Sequence, residues 1–327
     1  MTARTHSHEV EFAILGAGAI GSIIGAHLAR AGHSVVMLAR ERRARQIQTD
    51  GVRIKGLAEF STPLLTITDP AQLRGAGVLI VATKALDTAA SLEPLRSAEI
   101  GTAFSIQNGV MKNELLAAVF GADRVLGALA NISGEVLASG EVIFTRNVNV
   151  LIGELPAEMS PRAQRLAQTL DASGVRSTAV ADIQSQEWSK FAAWVGLAAL
   201  AVTTRASTWK YLLDPDAALV LVRLVREVQR LATACGVELT DESMFPVATF
   251  CRVTERAAVE MVRGQGSEYR TNAPQHRLST LQDLEAGRPL ELEETLGFAV
   301  RKAAQLQLSM PLLETFYYLA SAIDRAR

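Results

Sequence analysis

Short β-branched runs alternate with amphipathic stretches over the first 127 or so residues. EFAIL, SVVML, VLIVAT and TAFSIQ are separated by longer segments of helical periodicity. That alternation predicts βαβ units and a parallel sheet. Between Gly127 and Glu154 the pattern changes to strands broken by turns, GEVLASGEVIFTRNVNVLIGEL, with the period and glycine placement of antiparallel pairs. An antiparallel edge added to the parallel sheet is expected there. After about residue 182 the strand signals fade. In LVRLVREVQRLATACG, the residues Leu221, Leu224, Val225, Val228 and Leu231 follow a three-and-four spacing. Arg223, Arg226, Glu227 and Arg230 take the other faces, and Gly236 offers a C-terminal stop.

Composition narrows the function. A chain of 327 residues, 49% hydrophobic, can bury a substantial core, and its length suggests two domains. Basic and acidic residues, 33 against 34, nearly cancel. No general attraction to nucleic acid or to an anionic membrane follows, so the expected partners are small molecules. Cys235 and Cys251 are too few for a disulfide framework and lack metal-site spacing; no metal is expected, and a reducing cytoplasm is. The opening MTARTHSHEVEFAILG is a poor signal peptide because Glu9 and Glu11 interrupt its apolar run. Phe191 to Val202 falls short of the roughly 20 residues that span a bilayer, and reads as a buried core helix. Lys190 heads that run. A lysine there can simply snorkel to water along its own stem, or it can be the acid of an active site.

AILGAGAIGSIIGAHLARAGHSVVML supplies Gly16, Gly18 and Gly21 in the spacing G-x-G-x-x-G, after an apolar strand and at the start of an Ala-rich helix. The first glycine permits the tight turn, the second lets backbone approach a pyrophosphate, and the third lets helix pack on strand. Gly16, Ala17, Gly18, Ala19, Ile20 and Gly21 are thus expected to hold a dinucleotide at the helix N-terminus. The fold class is α/β: an N-terminal Rossmann-type parallel sheet with an antiparallel extension, then an all-α C-terminal domain, divided as 1–181 and 182–327.

The second strand ends in LARERRAR. A carboxylate there would hold a ribose 2′-hydroxyl, whereas Arg40 accommodates a 2′-phosphate, so NADPH/NADP+ is expected over NAD(H). Arg42, Arg43 and Arg45 reinforce the positive field or merely begin a solvated helix. Two more strands end in polar residues, at Thr83-Lys84 and at Gln107-Asn108-Gly109. Ligands of open α/β sheets bind at such carboxyl ends.

GAGAIG, Arg40, TKALDT, QNGV, EWSKFAAW and STLQDLEAGRPLELEETLG resemble, in order and spacing, the motifs of the ketopantoate reductase (2-dehydropantoate 2-reductase) family over nearly the whole chain. The resemblance implies an NADPH-dependent reductase of 2-oxoacids with a Rossmann domain and a helical second domain. It implies that Lys190 is the catalytic acid and Glu291 the carboxylate beside it. Ser279 would bind the substrate carboxylate, Asn108 would lie between cofactor and substrate, Lys84 would meet the cofactor and Arg40 its 2′-phosphate. The chemistry agrees, because reducing a ketone puts negative charge on oxygen and a cation that can yield its proton stabilises that charge. Burial lowers a lysine pKa and a carboxylate raises it, so a Lys190–Glu291 pair could stay charged yet able to donate. From composition alone Glu291 is one of several glutamates near Glu285, Glu293 and Glu294, and Ser279 could cap a helix holding Leu281 and Leu284.

The sequence also departs from the family. Where members acting on ketopantoate carry asparagines four and eight residues after the lysine, this chain has Trp194 and Ala198. His276 falls where the family often carries a further substrate-side asparagine; it reads equally as a surface histidine. His33, in the turn AGHSVV, reads as structural. Three functions are carried forward: the family default of 2-dehydropantoate to pantoate in pantothenate biosynthesis, reduction of a bulkier or less polar 2-oxoacid, and an NADP-binding sensor without turnover. The stripe of Phe316, Tyr317 and Leu319 reads as core ahead of a homodimer face, and oligomeric state stays open.

Overall fold

The computed structural model describes residues 10–326, so residues 1–9 of the stretch read as a poor signal peptide lie outside the described residues. Two compact units are formed: one holds the residues up to Asn108 together with Lys112–Gln184, the other Gly109–Met111 and the residues from Ser185 on.

In the first unit the chain runs β1 (Val10–Leu15), α1 (Ala19–Arg30), β2 (Val35–Leu38), α2 (Glu41–Asp50), β3 (Val52–Gly56), β4 (Phe60–Thr62), β5 (Leu65–Ile67), β6 (Gly75–Val81), α3 (Thr88–Leu92), β7 (Glu99–Ser105), α4 (Met111–Phe120), β8 (Leu126–Val136), β9 (Val142–Glu154), α5 (Pro161–Ala172) and β10 (Ser177–Ala179). The apolar runs become an all-parallel sheet in the order β5-β2-β1-β6-β7. Leu15 lies level with Leu38 and Val81, and Val81 with Ser105. The strands therefore finish together, and their following loops share one edge. β2 is buried at every residue, as expected of a central strand covered on both faces.

The antiparallel pair is present. β8 and β9 pair from Leu126↔Glu154 to Val136↔Val142, with register shifts near Ala130 and Ser133. It belongs to a second, mixed sheet in the order β10-β9-β3-β4, with β8 on β9, and one bridge, Ala103↔Val125, links towards β7. The pattern of residues 52–67 did not announce β3, β4 and β5, which are short and interrupted by polar side chains such as Arg53, Lys55 and Ser61. α1 is buried from Gly21 to Leu28 because its core joins Phe12 and Ile14 of the parallel sheet with Ile54, Phe144 and Val150 of the mixed one. A helix packed on both sides loses its polar stripe.

The second unit continues with α6 (Ile183–Thr204), α7 (Thr208–Leu213), α8 (Pro215–Ala234), α9 (Val247–Arg252), α10 (Glu255–Asn272), α11 (Ser279–Glu285), α12 (Leu296–Gln305) and α13 (Pro311–Arg325). Phe191 to Val202 are all buried, as the core-helix reading requires, and no helix among the described residues is long and apolar enough to cross a membrane. Gly196 lets α6 approach α8, where Leu221 would lie 3.1 Å from an added β-carbon. The predicted stripe of α8 is buried and Gly236 ends the turn after it at φ +77°. Glu227 departs from its expected polar face. It is 8% exposed, and its carboxylate accepts the backbone amides of Leu312 at 3.2 Å and Leu313 at 2.8 Å. It caps α13, whose own N-cap, Met310, supplies no side-chain bond.

α1 also buries His27 between the rings of Phe60 and Phe144, with Nδ1 unbonded. Burial, reinforced by Arg30, pushes its pKa down to about 4. The unfolded chain then binds more protons as pH falls below the ordinary histidine range of about 6.5, so this residue's contribution to stability is complete above that pH and is lost progressively down to pH 4, up to ~3 kcal/mol. Urea unfolding between pH 7 and pH 4 should show this slope in the wild type, and H27Q should flatten it.

Candidate active site

At the carboxyl edge of the parallel sheet, within the first unit, a cavity of about 410 Å³ is lined by Gly16, Ala17, Gly18, Leu38, Arg40, Arg43, Thr83 and Lys84, among others. Backbone crowding makes it. Gly16 follows β1 at φ +109°, and Thr83 N lies 2.8 Å from where its β-carbon would sit. Gly21 packs so tightly on the loop that an added β-carbon would fall 2.1 Å from the Gly16 carbonyl oxygen. Gly18 is the opposite case: nothing lies within 4 Å of its absent β-carbon. It is also the N-cap of α1 and offers that helix no side-chain acceptor, so the first amides of α1 are left to a ligand. A tight turn, an open glycine and an uncapped helix N-terminus fit a dinucleotide diphosphate.

The cavity gathers Gly16, Ala17, Gly18, Arg40 and Lys84 from the sequence-derived set. Ala19, Ile20 and Gly21 form the first turn of α1, and Asn108 follows β7; none of these lines the cavity. Arg40 is exposed at the N-cap of α2, and Lys84 is exposed beyond β6. Arg43, expected only to add to the positive field, is half-buried instead. It donates from Nε to the Ala17 carbonyl at 3.3 Å and from its terminal nitrogens to Ser22 Oγ at 3.3 Å, Gln46 Oε1 at 2.9 Å and the Gly140 carbonyl at 2.8 Å. Burial lowers its pKa from the usual arginine range. It fastens the glycine loop to the β8–β9 turn, a role that no local spacing could announce.

Gln107 is a second residue whose role was missed. Its Nε2 donates to the Thr83 carbonyl at 2.9 Å, Thr83 Oγ1 at 3.1 Å and Thr88 Oγ1, while Ser105 Oγ donates to its Oε1 at 2.9 Å. The ends of β6 and β7 are thereby tied together. The side chain of Asn108, next in the chain, makes no hydrogen bond to any described residue.

In the second unit Lys190, Trp194 and Ala198 recur at intervals of four along α6 and so share one side of that helix. Lys190 is half-buried; Trp194 and Ala198, 8% and 2% exposed, belong to the helical core. Ser279 is the first residue of α11. The N-cap position is Leu278, and no side-chain cap bond is made. The helix-cap reading of Ser279 is thus corrected: its hydroxyl bonds to no described residue. His276 is fixed instead, with Nδ1 2.9 Å from Thr208 Oγ1, which in turn accepts from the Tyr211 hydroxyl at 3.2 Å. Burial pushes the Tyr211 pKa up to about 12, so this phenol stays a proton donor. Glu291 is half-buried ahead of α12, and the Thr295 hydroxyl donates to its carbonyl. Gly109, at φ +87°, packs beside the same segment, with Thr295 Cγ2 3.4 Å from its absent β-carbon. His33 is structural as read, with Nδ1 3.1 Å from Glu11 Oε1.

Residues 12–157 match the family described as ketopantoate reductase PanE/ApbA, and residues 182–324 its C-terminal family. A 2-dehydropantoate 2-reductase of Archaeoglobus fulgidus is 25% identical over 95% of this chain and 97% of its own length. The crystal structure of a 2-dehydropantoate 2-reductase from Geobacter metallireducens superposes with a TM-score of 0.80 at 24% identity, covering 97% of this chain and all of that one. A D-mandelate dehydrogenase solved with NADH gives 0.81 at 18% identity, covering 97% and 99%. The chain belongs to the ketopantoate reductase family, and is an oxidoreductase of a family that uses NADPH.

The two glycines should separate folding from binding. G18V, entering open space, is expected to keep the wild-type thermal midpoint within about 2 °C while weakening NADPH at least tenfold, as followed by quenching of protein fluorescence. G16A, which meets backbone at a positive φ, should lose on the order of 1–3 kcal/mol of stability as well.

Proposed function

We propose that this member of the ketopantoate reductase family reduces a 2-oxoacid to the 2-hydroxyacid with NADPH, the family default being 2-dehydropantoate to pantoate. The carrying observation is the glycine-walled cavity with Arg40 and Lys84 on its rim, in a chain that matches the family along both units. Gly16 to Gly21 would hold the diphosphate, Arg40 the 2′-phosphate, and Lys84 and Asn108 the remainder of the cofactor. The cofactor, when bound, supplies the hydride for C2 of the oxoacid. Lys190 Nζ gives a proton to the keto oxygen as charge grows there, and is recharged from solvent. Glu291 keeps that amine protonated before the reaction. The Ser279 hydroxyl and the Asn108 amide, both unbonded within the described residues, hold the substrate carboxylate and carbonyl.

A second reading has its own observation. The helix side that carries Lys190 continues in a buried indole and a buried methyl, where amides would reward a polar substrate arm. An oxoacid with a bulkier or less polar arm than ketopantoate fits that side better. A D-mandelate dehydrogenase, named for an aromatic hydroxyacid, shares this fold, which supports the reading.

NADPH oxidation followed by absorbance, with ketopantoate beside aryl and branched alkyl 2-oxoacids, tests both readings. Wild type should turn over at least one oxoacid, and K190A should lose roughly 10²–10⁴-fold in kcat. W194N/A198N should shift the kcat/KM ratio towards ketopantoate by tenfold or more if the second reading holds. Tight NADPH binding with no oxidation by any oxoacid would sink the catalytic assignment.

A further inference from the structure

α4 begins with a lysine that does not face water. Lys112 is 5% exposed, and its Nζ donates to the backbone carbonyls of Gln107 at 2.9 Å and Ala128 at 2.5 Å. An ammonium in a protein interior costs several kcal/mol unless its donors are met, and a lysine in a first helical turn ordinarily extends to solvent. Here the amine points inward, onto the end of β7 and onto β8.

The carbonyl it takes just beyond β7 is the one immediately before Asn108. Every other polar group of Gln107 is also engaged. Its amide N–H donates to Ser105 Oγ at 3.2 Å, and its side chain is bound by Ser105, Thr83 and Thr88. Thr83 lines the cavity beside Lys84. The strand end is therefore held at each polar atom of Gln107 and left open only one residue later, at the side chain of Asn108. A buried cation at the base of this arrangement does more than fill space, because a carbonyl bound by an ammonium is fixed more strongly than one bound by a neutral donor.

We propose that Lys112 is a positioning residue of the reductase. Through the Gln107 carbonyl it sets the Asn108 amide, and through the Gln107 side chain the Thr83–Lys84 wall, for the nicotinamide end of the cofactor and the reacting carbonyl. The inference rests on the reading of Asn108 as a ligand of cofactor and substrate. It assigns a role to a residue in the first turn of α4 that touches neither.

The test separates the two ends of the cofactor. For wild type, K112M, K112Q and N108A, the thermal midpoint, kcat, KM and the dissociation constants of NADPH and of 2′-phospho-ADP-ribose, which lacks nicotinamide, are measured. K112M is expected to lower kcat about 10- to 100-fold, the range that misplacement by about an ångström produces. It should also narrow the difference between the two dissociation constants, while 2′-phospho-ADP-ribose stays within about twofold of wild type. K112Q, which retains a donor, should recover part of kcat. Wild-type kcat in a folded K112M, or a parallel loss of both ligands, overturns the proposal by making the lysine a general packing element. If K112M does not fold, T88V, which removes one acceptor of Gln107, takes its place: a severalfold fall in kcat with unchanged 2′-phospho-ADP-ribose binding supports the proposal, and unchanged kcat overturns it. An N108A enzyme with wild-type kinetics would instead refute the underlying reading of Asn108.

Discussion

Where β1 ends there is no room for a β-carbon. Gly16 stands at φ +109° against the backbone of Ala82 and Thr83, and Gly21 stands against the Gly16 carbonyl. Two strand ends, a turn and a helix start are in this way compressed into one backbone contact. Side chains cannot relax such a contact, because none is present to move. The cavity opens beside it at Gly18, the one glycine of the three with space in front of it. Tight and open positions alternate within three residues of each other, and that alternation brings α1 amides to a ligand while excluding any side chain from their path.

Polar groups buried around this constraint act as fasteners. Arg43 holds the Ala17 carbonyl of the glycine loop to the Gly140 carbonyl of the β8–β9 turn. Gln107 ties the end of β7 to that of β6, and Lys112 secures the Gln107 carbonyl from below. In the helical unit Glu227 does the same work for the start of α13. Each of these is charged or strongly polar and each finds backbone partners, which offsets desolvation and makes its removal costlier than its net contribution. The recurrent choice of backbone as partner matters. A side chain that bonds a main-chain atom fixes the path of the chain, and the path is what a cofactor site needs.

What the sequence disclosed and what it hid divide along the same line. β1, β2, β6 and β7 were legible because the stretches of a parallel sheet covered on both faces read as short apolar runs, and the glycine spacing was legible because backbone clearance leaves only one residue type. β3, β4 and β5 were not: they are short and half polar, β3 is held by β9 nearly ninety residues away, β4 only by β3, and β5 by β2 in the parallel sheet. Helical periodicity sorted the α8 stripe correctly but put Glu227 with the solvated charges, since a wheel shows which face a residue takes and not what else packs there. Arg43 and Lys112 were hidden for the same reason. The roles proposed for Lys190, Glu291 and Ser279 rest on the family resemblance and not on their local pattern, which for Glu291 is one acid among several and for Ser279 suggested a cap that the structure does not form.

The proposed chemistry and the proposed selectivity sit on different residues, and this is why one can change without the other. Protonating a keto oxygen requires one positioned amine, and holding a carboxylate requires a few donors; on the present assignment Lys190, Ser279 and Asn108 supply both. Neither requirement involves the substrate's third arm. Trp194 and Ala198 lie one and two helical turns beyond Lys190, about 6 and 12 Å along α6, and both are buried in an apolar core. An amide at such a place penalises any substrate that leaves it unbonded, whereas an indole and a methyl impose no such penalty and charge a hydroxyl for its desolvation. On the proposal that this side meets the substrate, the exchange acts in two directions, removing the reward for a hydroxylated arm and the cost of an apolar one. On the second reading proposed above, selectivity comes from shape and polarity where the family's asparagines would have used hydrogen bonds.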